Sequence, residues 1–436
     1  MISHSIRDGI IGAPAIPGDK SISHRSIIIP SISNGVCEIN NILKSDDVLH
    51  TINALKVLGV KIEEKNNRLI IHGKGLNSLK EPQNTIFLGN SGTSARLLTG
   101  LLSSQQFKSV LTGDSSLSKR PMKRITDPLN KMNAEIFTTN GTLPLTIEGK
   151  KLVSSNIDLE IPSAQIKSGL LLASLNTNGE TIITESKITR DHTEKMLESF
   201  GANIEIKKTD KKKQIKIYGK KELISKNIDV PNDLSSSAFF IVAALINDKS
   251  KLILQNINNN PTRNGLILAL KKMGAKINIL NQRLSNNEII CDIEVTSSDL
   301  NGCELGPEFA DLMIDEYPIL AVASSFANTP SIFRGLNELR VKESDRLKLI
   351  LLNLQKCGVN CKSINDDIYI YPSKNYVVKN ANIQTDFDHR IAMAFCVMGT
   401  KIGPLNIEDS ESINTSFPSF KNELNKVGGR VSWKIL

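Results

Sequence analysis

A helix end followed by two runs of alternating apolar and polar residues recurs six times along the chain. The copies are LKVLGVKIEEKNNRLIIHG from Leu55, LNKMNAEIFTTNGTLPLTIEG from Leu129, LESFGANIEIKK from Leu197 running on to QIKIYG, LKKMGAKINIL from Leu270, LQKCGVNCKSINDDIYIYP from Leu354 and LNKVGGRVSWKIL from Leu424. Each leucine lies one helical turn before a residue suited to a left-handed cap: Gly59, Asn133, Gly201, Gly274, Gly358 or Gly428. The alternation after each cap, broken by a polar turn, predicts half-buried antiparallel strands. The caps recur about every 70 to 85 residues, and a fixed period of this kind decides the architecture before any local motif does.

A second pattern keeps the same period. Polar clusters run directly into small apolar stretches at DKSISHRSIIIPSI from Asp19, NSGTSARLLTGLL from Asn90, PSAQIKSGLLLASL from Pro162, NDLSSSAFFIVAAL from Asn232, IDEYPILAVASSFA from Ile314 and DHRIAMAFCVMG from Asp388. With no polar face, each stretch predicts a helix buried on all sides. Helix starts carry unpaired N–H groups and the positive end of the macrodipole, so six of them aimed at one place would make a deep anion site. The plainer reading takes the Ser, Thr and Asp residues as ordinary N-caps. Caps do not, however, require Lys20, Arg25, Arg96 and Arg390 beside them.

Six units in 436 residues suggest two pseudo-symmetric halves of three, with hinges around Ala13 to Pro17 and at Asp229-Val230-Pro231-Asn232. Hydrophobic residues at 40% and charged residues at 23% exclude a disordered chain. The lysine-rich KKTDKKK at 207–213 reads as a solvated hairpin tip. No apolar run reaches the roughly 18 residues of a membrane span, and the opening MISHSIRDGIIGAPAIPGDK lacks a signal-peptide pattern, so a cytoplasmic protein without a membrane partner is expected. The net charge of +9 favours anionic partners, while an aromatic content of 4% weighs against nucleic acid. Cys37, Cys291, Cys303, Cys357, Cys361 and Cys396 form no CxxC pair and have no His at zinc-finger spacing, and so read as free thiols. Gly18-Asp19-Lys20-Ser21 fails as a nucleotide-binding P-loop because Asp19 separates Gly18 from Lys20 and the first glycine is missing. No GxGxxG follows a strand, and no HExxH or His pair offers a metal site.

Eight blocks in order carry a resemblance: PGDKSISHR (17–25), LGNSGTSAR (88–96), KRPM (119–122), SAQIKS (163–168), RDHTEKML (190–197), IDEYP (314–318), LRVKESDR (339–346) and DHRIAM (388–393). Over nearly its whole length the chain resembles the 5-enolpyruvylshikimate-3-phosphate synthase family, and RDHTEKML and SAQ are similar to that family's class II branch. The resemblance implies an α/β fold, the two-domain inverse α/β barrel with three βαβαββ units per domain. It puts residues 1–16 and 231–436 in one discontinuous domain and 17–230 in the other. The active site would lie in a cleft between them, closed by anionic substrates.

The implied reaction transfers the enolpyruvyl group of phosphoenolpyruvate to the 5-hydroxyl of shikimate 3-phosphate. Phosphate is released through a tetrahedral adduct, and no metal or organic cofactor is implied. By similarity, Asp315 and Glu343 are the acid/base carboxylates and Lys20 contacts the transferred phosphate. Lys20, Ser21, Arg25, Ser163, Ala164 through its backbone, Gln165, Arg190, Asp315 and Lys342 would hold shikimate 3-phosphate. Lys20, Gly92, Arg96, Arg120, Gln165, Lys342, Arg346, His389 and Arg390 would surround phosphoenolpyruvate, planar arginine forks suiting carboxylate and phosphate. Plainer readings stand beside these: Glu343 and Arg346 as a surface helix pair, Asp315 as a helix cap, and His24 as a packing residue. Thr415 stands where many family members carry a lysine, and it is left out of the expected site. Gly92 matches a position where a methyl group would crowd phosphoenolpyruvate and glyphosate, which implies glyphosate sensitivity. A monomer acting on small anionic substrates is expected. The competing readings are the related UDP-N-acetylglucosamine enolpyruvyl transferase, whose early Lys-Asn pair and loop Cys are not matched, and a basic nucleic-acid-binding protein.

Overall fold

The structure, a computed structural model, describes residues 1–209, 212–372, 376 and 381–433. The chain divides into two compact units, one of Met1–Pro17, Asn232–Arg283 and Ile289–Leu436, the other of Gly18–Pro231 and Leu284–Glu288. The expected division ran 1–16 with 231–436. Here Pro17 groups with the first unit, while Pro231 and the hairpin tip 284–288 group with the second. The tip is tied there by Glu288, whose Oε1 lies 2.7 Å from His192 Nδ1.

All six helix caps are left-handed, with φ of 85° at Gly59, 67° at Asn133, 89° at Gly201, 91° at Gly274, 80° at Gly358 and 111° at Gly428. The leucine one turn before each is fully buried. Packing on one side and a cap with positive φ at the end together fix where each of these helices stops. The chain then passes into a hairpin such as Glu135–Thr139 with Thr142–Glu148.

Among the described residues, six four-stranded sheets share one pattern. In the sheet built by the second repeat, Ile86–Phe87 runs parallel to Lys108–Thr112, which pairs antiparallel with Thr142–Glu148, which in turn pairs with Glu135–Thr139. Three sheets take a strand from a distant part of the chain. Ile2–His4 lies antiparallel between Leu405–Ile407 and Arg430–Ser432. Ile11–Gly12 runs parallel to Lys251–Asn258, and Ile228–Asp229 runs parallel to Asn34–Asn40.

The six stretches without a polar face form the helices Lys20–Ser31, Gly92–Ser103, Ala164–Ser174, Leu234–Ile246, Tyr317–Ser325 and His389–Ile402. They fill the interior of each unit, and the sheets, alternating buried and exposed residues, form its wall. This is the α/β, inverse-barrel arrangement, with three βαβαββ repeats in each unit. Among the described residues no helix is long and apolar enough to cross a membrane.

Two features refine the sequence reading. In the 207–213 run, residues 210 and 211 lie outside the described residues, but Lys213 is buried rather than solvated, because period-two alternation puts it on the same face as Ile215 and Ile217. Residues 434–436 of the sixth copy also lie outside the described residues. The second feature is the crossing of the Gly92–Ser103 and Ala164–Ser174 helices, which meet backbone to backbone at two glycines. A Cβ on Gly100 would lie 2.0 Å from the Gly169 carbonyl oxygen. One turn earlier on both helices, the close approach brings Arg96 Nη1 within 2.9 Å of Gln165 Oε1. Because a backbone carbonyl cannot yield as a side chain can, Gly100→Ala is expected to destabilise the chain by about 3 kcal/mol in denaturant unfolding. An unchanged midpoint would show that the crossing is looser than described.

Candidate active site

In the unit of Gly18–Pro231, three buried helices bring their first turns together. Lys20 opens one of them and pairs with Asp47, which sits in the first turn of the neighbouring Asp46–Val57 helix. Arg25, buried on the same helix as Lys20, donates from Nε to Thr193 Oγ1 at 2.6 Å, from Nη1 to the Ser21 carbonyl at 2.7 Å and from Nη2 to Ser168 Oγ at 2.7 Å. Burial, partly opposed by Glu194, lowers its pKa to about 10, so it stays charged at neutral pH. Half-buried Arg190 lies close enough to oppose that charge. On the next helix, Arg96 donates to the Gly92 carbonyl at 3.1 Å and to Gln165, whose Nε2 reaches Thr93 Oγ1 at 3.0 Å. Arg120 donates to Asn90. Gly92 lies against both arginines, since a Cβ there would stand 2.8 Å from Arg96 Nη1 and 3.0 Å from Arg120 Nη1. Ser163 is the N-cap residue of its helix but makes no side-chain capping bond, and Ala164 follows it as the first helical residue.

In the other unit the chemistry gathers on one guanidinium. Arg346 is 0% exposed and binds three carboxylates. Nη1 meets Asp315 Oδ1 at 3.1 Å, Nη2 meets Glu343 Oε2 at 2.6 Å, and Nε meets Asp388 Oδ2 at 2.8 Å. Burial works against its charge, but Asp388, Glu343 and Asp315 outweigh burial and raise its pKa above the ordinary arginine value. Asp315 and Glu343 keep 16% and 25% exposure, so both present a face to solvent while the arginine behind them does not. Lys342 Nζ lies 3.8 Å from Asp315. Arg390 donates to the Asp315 carbonyl at 3.2 Å and to Glu316 at 3.3 Å, and Glu316 also accepts from Ser235. His389 Nδ1 lies 3.2 Å from Thr415 Oγ1.

These contacts settle the plainer readings. Asp19, Ser91, Asp233 and Asp388 do cap their helices with side-chain oxygens. Asp315 is not the N-cap residue of the Tyr317–Ser325 helix, a position held by Glu316, and lies in the 3-10 turn Ile314–Glu316 before it. Glu343 and Arg346 are a pair three residues apart, but one whose arginine is buried. His24 packs at its helix start, with Nδ1 2.7 Å from Thr51 Oγ1. Burial first, then Lys20 and Arg25, holds its pKa well below the ordinary value and keeps it neutral.

Sequence reasoning missed Asp47 and Asp388, which anchor Lys20 and Arg346, and the buried ions Lys167, Glu185, Glu194 and Lys213. The signal for the last group was present: a lysine in the helix that has no polar face, and a second lysine in phase with Ile215 and Ile217. Asp191, His192 and Glu288 also cluster, with Lys195 Nζ 3.2 Å from Asp191 and 3.4 Å from Glu288 as its cation.

Comparison with known proteins decides the family. The model of EPSP synthase (3-phosphoshikimate 1-carboxyvinyltransferase) matches residues 7–424. The chain belongs to the EPSP synthase family. A 3-phosphoshikimate 1-carboxyvinyltransferase of Pseudomonas sp. (strain PG2982) is 42% identical over 436 residues, covering 98% of this chain and 97% of the relative. That of Ruthia magnifica subsp. Calyptogena magnifica is 43% identical over 430 residues, with 98% and 97% coverage. An EPSP synthase structure from Acinetobacter baumannii superposes with a TM-score of 0.87 at 41% identity, covering 99% of both chains.

All six cysteines of this EPSP synthase family member are buried and outside the two clusters. Burial pushes the thiols up, to about 12 at Cys37, Cys357 and Cys396 and to about 11 at Cys291, Cys303 and Cys361. Since the thiolate is the reactive form, a disulfide reagent at pH 8 is expected to leave all six unmodified in the native chain and to titrate all six in denaturant. Rapid modification of a native thiol with loss of activity would contradict the geometry.

Proposed function

We propose that the chain transfers the enolpyruvyl group of phosphoenolpyruvate to the 5-hydroxyl of shikimate 3-phosphate, releasing phosphate, as a step in aromatic amino acid biosynthesis. The observation that carries this reading is the pair Asp315 and Glu343 held on one buried guanidinium. The addition must give one proton and take another, and two partly exposed carboxylates fixed a hydrogen bond apart from a common cation suit that exchange.

In the first step one carboxyl protonates the methylene carbon of phosphoenolpyruvate while the other takes the proton of the 5-hydroxyl. The 5-oxygen bonds to the central carbon, giving the tetrahedral adduct. In the second step the bond from that carbon to the phosphate oxygen breaks, a proton leaves the new methyl group, and the enol double bond re-forms. Lys20, steadied by Asp47, receives the departing phosphate. Arg96 and Arg120, both against Gly92, take the phosphoenolpyruvate anion with Gln165, Lys342, His389 and Arg390. Arg346 already holds Asp315, Glu343 and Asp388, so its positive charge is shared among three carboxylates before a substrate arrives. Ser21, Arg25, Ser163, the Ala164 backbone, Gln165 and Arg190, with Asp315 and Lys342, hold shikimate 3-phosphate. The enzyme works as a cytoplasmic monomer without a nucleic-acid partner.

The test is phosphate release from phosphoenolpyruvate. It is expected to depend on shikimate 3-phosphate, and Lys20→Ala and Glu343→Gln are each expected to lower kcat about 10²- to 10⁴-fold. Release supported instead by a UDP-sugar, or full activity in both variants, would overturn the reading. Gly92→Ala would press a methyl group between two guanidiniums, and is expected to raise KM for phosphoenolpyruvate about tenfold or more while leaving that for shikimate 3-phosphate within twofold. Glyphosate is expected to inhibit the unaltered chain in competition with phosphoenolpyruvate, and activity retained at millimolar inhibitor would count against that.

A further inference from the structure

Four ionisable side chains lie buried together in the unit of Gly18–Pro231. Glu194 Oε1 takes Lys167 Nζ at 2.8 Å and Lys213 Nζ at 2.9 Å. Glu185 Oε1 takes Lys167 at 3.0 Å and faces Lys213 at 3.8 Å. Lys167, Glu185 and Glu194 are 0% exposed, and Lys213 6%. Burial alone would raise Glu194, but Lys167 and Lys213 outweigh it and bring it down to about 2. The formal charges of the two lysines and two glutamates sum to zero.

Stability does not explain such a cluster. Desolvating each ion costs several kcal/mol, and apolar replacement of buried ion pairs is often neutral or stabilising. The contacts around it suggest what it does instead. Glu185 accepts from the Thr189 amide at 3.3 Å and from Thr189 Oγ1 at 2.8 Å, and Lys167 donates to the Thr189 carbonyl at 3.4 Å. Three bonds therefore hold the residue directly before Arg190. Glu194 follows Thr193 and Lys167 precedes Ser168, and these two hydroxyls, 2.6 Å apart, receive Arg25 Nε and Nη2. Arg25 and Arg190 repel one another, and Glu194 is the largest source of charge stabilisation at Arg25.

We propose that Lys167, Glu185, Glu194 and Lys213 are positioning residues that hold Arg25 and Arg190 close together, against their repulsion, ready for a doubly charged phosphate monoester. The inference deepens the functional reading above and rests on it for the identity of that monoester, shikimate 3-phosphate. Preorganisation of this kind acts on binding: the cluster touches no substrate, and its loss lets two like charges drift apart before the ligand arrives.

Two variants test the proposal, each checked first for a native thermal midpoint. The fourfold apolar replacement Lys167→Met, Glu185→Leu, Glu194→Leu and Lys213→Met is expected to hold or raise the midpoint while KM for shikimate 3-phosphate rises about tenfold or more and KM for phosphoenolpyruvate stays within twofold. Thr189→Val, which keeps the shape and cuts one link to Glu185, is expected to raise KM for shikimate 3-phosphate several-fold, with faster amide exchange across residues 186–191. Either variant, folded and with wild-type KM for shikimate 3-phosphate, overturns the proposal, and if the fourfold variant does not fold, Thr189→Val decides. Calorimetry of the unaltered chain with shikimate 3-phosphate separates the two claims. No binding there sinks the functional reading, and the exchange rate in Thr189→Val then still tests the hold on the loop.

Discussion

A helix that is apolar all round has one place for charge, its first turn. There the backbone N–H groups are unpaired and the positive end of the dipole lies. Each unit buries three such helices, so most of the charged side chains that these helices carry gather near their starts. In one unit these starts touch through Arg25 with Ser168 and Arg96 with Gln165. In the other they touch through Ser235 with Glu316 and Arg390 with Glu316. The sites follow from the core: once the interiors of these helices are filled with Ile, Leu, Ala and Val, catalytic side chains have nowhere else on them to go.

The two clusters solve the problem of buried charge in opposite ways. Around Lys20, Arg25, Arg96 and Arg120 cations predominate, and hydroxyls, amides and backbone carbonyls accept from Arg25 and Arg96. Neutral acceptors leave net positive charge for an anion to neutralise. Around Arg346 carboxylates do the accepting, three of them on one buried guanidinium. Lys342 and Arg390 stand beside Asp315 as further cations, so charge there is met by charge rather than by neutral acceptors.

What could be read from the chain was what local physics decides. The six caps and their leucines were legible because each lies within one turn of a positive-φ residue, and the buried helices were legible because they lack a polar face. The borrowed strands Ile2–His4, Ile11–Gly12 and Ile228–Asp229 were not, since two or three residues carry no periodicity and their partners lie far away in sequence. Arg346 was found by its motif, but not its fan of three carboxylates, because Asp315 and Asp388 approach it only in the fold. Lys213 was misjudged because a run of lysines reads as solvent-facing unless the strand phase is followed through it.

Thr415 shows how far a single departure reaches. It was set aside because it lacks the cation that many relatives carry at that position, yet its hydroxyl meets His389. A hydroxyl has one proton, and this one is donated to the Ser412 carbonyl at 2.8 Å. Toward His389 Nδ1, at 3.2 Å, it therefore accepts, so Nδ1 carries a proton and the ring is oriented by that bond. A lysine, having only donors, could not accept that proton. Thr415 thus offers an oriented acceptor in place of a mobile positive charge, and Lys342 and Arg390 stand as cations beside Asp315 in addition to buried Arg346.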